Sequence, residues 1–213
     1  MGWSGLLGEG GLVLYWLARL VLRAYIRWRY KQTVEGSENL PRRGAVILCP
    51  NHINFWDPVT VACSIGRRVS FMAKEELFRN PVVALALRLV GAFPVKRGKA
   101  DRAAIRHSLR VLGRGQVLGI FPEGTRSRTG VLQKAEPGAA LLALRTRAPV
   151  VPVGICGSYR RPARVVVRFG PTLTFPEHYG ARPTAERLEH VGSQIMAAIA
   201  ALLPESQVRI GPG

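Results

Sequence analysis

The sequence predicts an α/β fold: a single domain over residues 32–213 with a central, mostly parallel or mixed sheet flanked by helices, preceded by an amphipathic helix. Short apolar runs typical of buried strands alternate with segments that have helical periodicity, which is the pattern of layered α/β folds. The length of 213 residues favours one domain. Hydrophobic residues make up 47% of the chain, which is enough to bury a core and argues against disorder.

Residues 1–31 predict the amphipathic helix. Arginines recur every four residues from Arg19 to Arg27, and Lys31 continues this basic stripe. Apolar and aromatic side chains fill much of the remaining surface, and the longest uncharged run, residues 10–18, is shorter than the roughly 20 residues of a spanning helix. We therefore expect a helix that lies on an anionic membrane surface, with an ordinary packed surface helix as the alternative.

The first half of the domain alternates strands and helices. The apolar run at 45–49 predicts a buried strand, a helix is expected over 58–65, and a strand over 68–74. Asn80 and Pro81 are typical of a cap and a first helical residue, so another helix is expected to begin there.

The second half continues the alternation after a short strand or loop near Phe93. The predicted elements are a helix over 100–112, a strand over 116–121, a helix over 138–145, strands over 149–155 and 164–169, and a helix over 184–203. In such sheets ligands bind where strands end and loops begin, so the loops after the strands are the places to expect a site.

The charge balance limits the possible partners. Lys and Arg number 31 against 13 Asp and Glu, a formal net charge of +18. Such a surface attracts nucleic acid, anionic lipid or a phosphorylated substrate, although an arginine-rich composition can also have no functional meaning.

Cysteines and histidines predict no metal site. Cys49, Cys63 and Cys156 lie in apolar contexts without a CxxC pair, so buried free thiols are expected. Three histidines have no ligand spacing and are interpreted as structural: His107, His178 and His190.

A histidine and an aspartate follow the first buried strand, in the segment NHINFWDP. His52 and Asp57 are five residues apart, which on a helix would place them about 140° from each other. We therefore expect a loop, with Asp57 as helix cap and Pro58 as the first helical residue. Such a loop can fold Asp57 against one imidazole nitrogen and leave the other as a base. The alternative is a capping aspartate beside an ordinary loop histidine.

A second polar motif, FPEGTRS at 121–127, follows another buried strand. Arg126 could bind a phosphate through its planar fork, and the backbone N–H groups near Gly124 could face an anion. The alternative is an exposed turn with an ion pair.

The segments NHINFWD, GAFPVKRG, FPEGTRS and VVPVG, in this order, resemble the glycerolipid acyltransferase family, whose members acylate glycerol-3-phosphate and 1-acylglycerol-3-phosphate. The resemblance runs from about Val34 to Gly157. It implies an α/β fold, an acyl-CoA or acyl carrier protein donor, a lysophospholipid acceptor, no further cofactor, and peripheral attachment to the cytoplasmic face of the cell membrane.

The resemblance also implies roles for individual residues. His52 would be the general base and Asp57 the carboxylate that orients it. The positions that match the acceptor-binding blocks are Lys96, Arg97, Glu123, Gly124, Thr125 and Arg126. Gly91 belongs to the second block, and Pro152 matches a block associated with the acyl donor.

The implied reaction is acyl transfer to 1-acylglycerol-3-phosphate, which gives phosphatidic acid. Glycerol-3-phosphate, another lysophospholipid or another alcohol remains an alternative acceptor, because the motifs report shared chemistry rather than a pocket. A non-catalytic basic module that binds membrane or nucleic acid is the alternative from another class. No nucleic-acid partner is expected, because no nucleic-acid-binding signature accompanies the charge.

Overall fold

The computed structural model describes residues 9–81, 83, 84, 87, 91–95, 101–160 and 162–208. Its strands are β1 (Thr33–Glu35), β2 (Val46–Pro50), β3 (Val69–Lys74), β4 (Phe93–Val95), β5 (Val117–Gly119), β6 (Val150–Ser158) and β7 (Arg164–Phe169). The α-helices whose bounds are described are α1 (Glu9–Tyr30), α2 (Asp57–Ser64), α3 (Arg102–Gly113), α4 (Pro137–Thr146), α5 (Ala185–Ala200) and α6 (Glu205–Val208).

Within these ranges the strands form one seven-stranded sheet in the order β1-β7-β6-β2-β5-β3-β4. Every neighbouring pair is parallel except β6 and β7. The predicted α/β fold with a mostly parallel, mixed sheet is therefore confirmed. Because β2, β5 and β6 run in the same direction, the loops that follow them leave the sheet at the same edge.

Helices cover both faces of the sheet. Helices α1 and α2 pack into one apolar cluster, and α3, α4 and α5 pack into the other. Adjacent residues of β2 divide between the two clusters: Val46 and Leu48 face α1 and α2, while Ile47 and Cys49 face the other layer. A strand buried on both faces has no polar side, which explains why this segment is a continuous apolar run.

Several predicted elements differ at their ends. Strand β5 is confined to Val117–Gly119, shorter than the predicted strand. The C-terminal helix begins after Thr184, whose hydroxyl accepts a hydrogen bond from the Arg187 N–H, and it ends at Ala200. Asn80 Oδ1 accepts from the Val83 N–H, as a cap would, but much of that helix lies outside the described residues. The three cysteines are buried free thiols, as predicted.

Helix α1 exposes an apolar side, and the predicted basic stripe is wrong at Arg19 and at Lys31, because α1 ends at Tyr30 and Lys31 follows it with φ +44°. Arg19 is only 7% exposed and its guanidinium lies over the Trp16 ring, because this side of α1 packs against the protein. Arg23 and Arg27 are exposed. Among the side chains of α1 that the structure describes, the exposed large apolar ones are Val13, Trp16, Leu17, Leu20, Val21, Tyr25 and Trp28.

None of the helices in the described ranges is long and apolar enough to cross a membrane. Ile26 and Tyr30 of α1 belong to the protein core, so α1 is packed on the domain rather than extended from it. The predicted boundary between residues 31 and 32 falls between α1 and β1 and stays a prediction.

Candidate active site

His52 and Asp57 meet in the loop between β2 and α2. The His52 Nδ1 atom lies 2.9 Å from Asp57 Oδ2, and both side chains are buried. Sequence analysis predicted that this loop could bring the two groups together, and the structure places them in contact. The pairing leaves each group in a definite orientation, as a base and its carboxylate partner require.

Asp57 is not the helix cap that the sequence predicted. Helix α2 begins at Asp57 itself, and Trp56 occupies the cap position without a side-chain hydrogen bond. The carboxylate instead turns back onto the loop, where Oδ2 accepts from the N–H groups of Ile53 at 2.7 Å and Asn54 at 2.6 Å. These two donors and the imidazole hold the carboxylate toward His52 rather than toward the first turn of α2.

The other carboxylate oxygen of Asp57 has its own partner. The Tyr159 hydroxyl, just after β6, donates to Asp57 Oδ1 at 2.8 Å and lies 3.1 Å from Thr60 Oγ1. Burial, and next the charge of Asp57, raise the pKa of Tyr159 well above its usual value, so its hydroxyl stays protonated. Sequence analysis did not find Tyr159, which lies 102 residues along the chain from Asp57.

The His52 ring stacks on Phe121, the residue that opens the FPEGTRS segment. The ring centroids lie 3.9 Å apart with an angle of 20° between the planes. With Nδ1 donating to Asp57, the proton-accepting lone pair of the neutral imidazole is on Nε2. The arrangement can therefore perform general-base chemistry at Nε2.

Glu123 joins the two motif loops through the backbone. Its Oε1 accepts from the His52 N–H at 2.7 Å and its Oε2 accepts from the Gln133 N–H at 3.0 Å. The side chain is only 4% exposed, and burial raises the pKa of Glu123 to about 6 against the effect of its hydrogen bonds. These contacts make Glu123 a positioning residue, and its predicted contact with the substrate stays a prediction.

The rest of the FPEGTRS loop also lies against the histidine. The Ser127 N–H donates to the His52 carbonyl at 2.8 Å, so the end of this loop is bonded to the first. Gly124 has φ +66°, and a Cβ there would meet the Glu136 side chain at 2.8 Å, which explains the need for glycine. Thr125 and Arg126 are exposed, so their side chains are accessible to a ligand.

Asn51 is a second residue that sequence analysis missed. Its Oδ1 accepts from the Ile155 N–H at 2.6 Å and its Nδ2 donates to the Ile155 carbonyl at 3.1 Å. The side chain thus bonds to the backbone of β6 and anchors the start of the His52 loop. Its signal, a polar residue directly after a buried strand, was present in the sequence, but its partner lies 104 residues away.

The second predicted block is only partly described. Gly91 has φ +80°, and a Cβ there would lie 2.7 Å from the Val69 carbonyl oxygen, so glycine is required for the close approach. Lys96 and Arg97 lie outside the described residues. Pro152 is in the middle of β6. Within the described ranges no group of three or more His, Cys, Asp and Glu could hold a metal ion.

Comparison with known proteins gives matches to acyltransferases. The model of the acyltransferase family matches residues 31–156. A 1-acyl-sn-glycerol-3-phosphate acyltransferase of Borreliella burgdorferi is 34% identical over 144 residues, which cover 64% of this chain and 58% of that protein. One from Bacillus subtilis is 31% identical over 145 residues, covering 68% and 72%. The chloroplastic enzyme BAT2 of Brassica napus is 31% identical over 147 residues, covering 68% and 42%.

The chain therefore spans 58% and 42% of the length of two of these relatives. Among solved structures, the crystal structure of the 1-acyl-sn-glycerophosphate (LPA) acyltransferase PlsC from Thermotoga maritima superposes with a TM-score of 0.64 at 25% identity. That superposition covers 92% of this chain and 88% of the other.

Proposed function

This chain belongs to the acyltransferase family, and we propose that it moves a fatty acyl group from an acyl thioester to the free hydroxyl of 1-acylglycerol-3-phosphate, which gives phosphatidic acid. The 2.9 Å contact between His52 Nδ1 and Asp57 Oδ2 supports this proposal most directly. The similarity to 1-acyl-sn-glycerol-3-phosphate acyltransferases of other organisms supports the choice of acceptor.

His52 acts as the general base in the proposed reaction. Its Nε2 takes the proton of the acceptor hydroxyl while the oxygen attacks the thioester carbonyl carbon. The tetrahedral intermediate then collapses, the carbon–sulfur bond breaks, and the leaving thiolate takes the proton back from the imidazolium. Asp57 stabilises that imidazolium, and proton transfer of this kind contributes about 10²–10⁴-fold to the rate.

The acceptor phosphate is bound by cations in the proposed complex. Arg126 is exposed and directly precedes Ser127, whose N–H donates to the His52 carbonyl, so its backbone lies near that of the base. Its guanidinium would hold the phosphate through two parallel hydrogen bonds, with Lys96, Arg97 and Thr125 as further candidates. Binding the phosphate places the hydroxyl for attack, which converts part of the binding energy into orientation.

The membrane supplies the acceptor in this proposal. The exposed apolar side chains of α1 would enter the interface of the cytoplasmic face of the membrane, and Arg23 and Arg27 would contact anionic headgroups. The donor is an acyl thioester, of coenzyme A or of an acyl carrier protein, and no other cofactor is required for the steps above.

The test is thiol release by purified protein. Acyl-CoA and acyl carrier protein are offered separately, each with 1-acylglycerol-3-phosphate or glycerol-3-phosphate in detergent micelles. We expect release that depends on 1-acylglycerol-3-phosphate and that His52→Ala lowers by at least about 100-fold.

The matched control is His190→Ala, since His190 is exposed on α5. Release with glycerol-3-phosphate but not with 1-acylglycerol-3-phosphate would show that glycerol-3-phosphate is the acceptor. Release that survives His52→Ala would rule out His52 as the base. Absence of release with every pair would favour a basic binding module, whose affinity for anionic vesicles would fall steeply with salt.

A further inference from the structure

Asp57 is fully buried and is held from two directions. One oxygen, Oδ2, accepts from the His52 ring and from the loop N–H groups of Ile53 and Asn54. The other, Oδ1, accepts from Tyr159 at 2.8 Å. Because His52 depends on Oδ2, any group that fixes Oδ1 also fixes the base.

We propose that Tyr159 is a positioning residue for the His52–Asp57 pair, and that the C-terminal end of α1 keeps Tyr159 in place. Its effect on turnover rests on the proposed acyl transfer, whereas its effect on the His52 ring does not. Tyr159 touches neither the acceptor nor the donor in this proposal, and it acts through Asp57.

The contact geometry suits this role. The Tyr159 ring is only 9% exposed, and its hydroxyl lies between Asp57 Oδ1 and Thr60 Oγ1. A phenol has one proton, and the charged oxygen at 2.8 Å is the stronger acceptor, so that proton goes to Asp57. The carboxylate is thereby bonded at both ends and cannot rotate away from the imidazole without breaking a buried hydrogen bond.

Helix α1 covers this contact from the outside. Tyr30, the last residue of α1, meets the Tyr159 ring edge-on with centroids 5.0 Å apart. Gln32, two residues later, donates from Nε2 to the Thr60 carbonyl at 3.2 Å and to Ser64 Oγ at 2.7 Å. The segment that leaves α1 therefore packs on both neighbours of Asp57, the tyrosine after β6 and the first turns of α2.

Loss of the Tyr159 hydroxyl should change the histidine in a defined direction. The O–H donor draws negative charge toward Oδ1, so its removal leaves more of that charge facing the imidazolium. The titration midpoint of His52 should then move to higher pH. Among the described residues, other titratable groups near the pair include Glu123, whose Oε1 accepts from the His52 N–H, and Tyr30, whose ring packs on Tyr159. Their contacts do not change in Tyr159→Phe.

The experiment compares Tyr159→Phe with Tyr179→Phe in the full chain. Tyr179 is a matched control, because its hydroxyl also makes a hydrogen bond, from the Phe175 N–H at 3.2 Å, but far along the chain from the pair. The ring nitrogens of His52 are titrated by NMR, and their signals are assigned by their absence in His52→Ala. Acyl transfer is measured on the same samples.

We expect the His52 midpoint to rise in Tyr159→Phe and to stay unchanged in Tyr179→Phe. The kcat should fall about 10-fold in Tyr159→Phe with little change in the acceptor KM, because Tyr159 acts on the base indirectly, through Asp57, and does not contact the bound acceptor. An unchanged midpoint would overturn the proposal. If wild type shows no acyl transfer, the proposed function fails, and the NMR result still decides the role of Tyr159.

A second variant tests the proposal if Tyr159→Phe does not fold. Thr60→Val keeps the Tyr159–Asp57 bond and removes the hydroxyl 3.1 Å from the phenol oxygen. Without that competing acceptor the phenol proton is left to Asp57 alone, so the His52 midpoint should move to lower pH by a smaller amount, and no movement would count against the proposal.

Discussion

At the scale of single residues, Glu123 holds a charge where water is largely excluded. Its carboxylate accepts hydrogen bonds from the backbone N–H groups of His52 and Gln133, which compensates part of the cost of burial. The compensation is incomplete, because the pKa of Glu123 is still raised to about 6. Folded protein therefore binds a proton at Glu123 more readily than unfolded protein does.

This difference predicts a pH dependence of stability. Between pH 4.5 and about 6 the folded state binds more protons at Glu123 than the unfolded state, so the contribution of Glu123 becomes less favourable as pH rises. Relative to Glu123→Gln, the unfolding free energy of wild type should fall by about 2 kcal/mol in total, most of it in that window and the rest within about one pH unit on either side. Urea unfolding of both proteins at several pH values measures it, and parallel curves would refute the prediction.

A second prediction compares the contributions of Arg126 and Arg128 to acceptor binding. Both Arg126 and Arg128 are exposed cations of one loop. If Arg126 binds the acceptor phosphate through two charged hydrogen bonds, Arg126→Ala should raise the acceptor KM by at least about 10-fold, the value of one such bond. Arg128→Ala should leave it within about twofold. Steady-state kinetics at fixed ionic strength compares them, and equal effects would assign both to general electrostatic attraction.

His52 and Asp57 could be predicted from the sequence, while Asn51 and Tyr159 could not be assigned. The first two lie five residues apart in a loop between predicted elements, so local geometry alone brings them within reach. Asn51 bonds to Ile155 and Tyr159 bonds to Asp57, and each partner is more than 100 residues away. Such contacts depend on which strands are neighbours in the sheet, and the hydrophobic periodicity of single segments does not predict the order of strands.

At the scale of elements, α1 shows where periodicity is insufficient. The spacing of its arginines correctly indicates a helix, but it does not tell which side of the helix packs on the domain. The structure places Arg19 inward, over Trp16, and leaves apolar side chains such as Leu20 and Trp28 exposed at 65% and 77%. Strands are easier to predict, because burial on both faces makes them short apolar runs.

The exposed side of α1 predicts that the protein binds anionic vesicles through apolar side chains, with a smaller contribution from charge. Replacing Leu20 and Trp28 by serine removes two large apolar side chains, so binding to anionic vesicles should weaken by at least about 10-fold at any salt concentration. Replacing Arg23 and Arg27 by glutamine should weaken binding at low salt and have little effect at high salt, where charge is screened. Sedimentation with vesicles measures both, and undiminished binding of the serine variant would place the membrane contact elsewhere.

At the scale of the whole molecule, the two ends of the sheet have different tasks. The His52 loop follows β2 and the Glu123 loop follows β5, so the candidate site lies at the carboxyl ends of these strands. At the amino ends, the Arg67 guanidinium donates to the carbonyls of Pro41, Gly44 and Gly115, which precede β2 and β5. Arg67 thus links the segments that precede β2 and β5, at the end of the sheet opposite the candidate site.

Because Arg67 lies at the end of the sheet opposite the candidate site, we expect it to contribute to the stability of the fold and not to catalysis. Arg67→Ala leaves three carbonyls without their charged donor, so the unfolding free energy should fall by about 2 kcal/mol. The acceptor KM and kcat of the folded variant should stay near those of wild type. Arg43→Ala, an exposed arginine of the neighbouring loop, is the control and should alter neither quantity. A large kcat loss in folded Arg67→Ala would show that the two ends are coupled.

The apolar side of α1 also bears on how such an enzyme would meet its lipid. A protein held at a bilayer by α1 searches for the acceptor by lateral diffusion in two dimensions, where the local concentration is set by the surface rather than by the surrounding volume. Its rate would follow the mole fraction of acceptor among the lipids, and diluting the vesicles in buffer would change little. Mixing inert phospholipid into the same vesicles would slow it, because each molecule of protein would then face fewer acceptors.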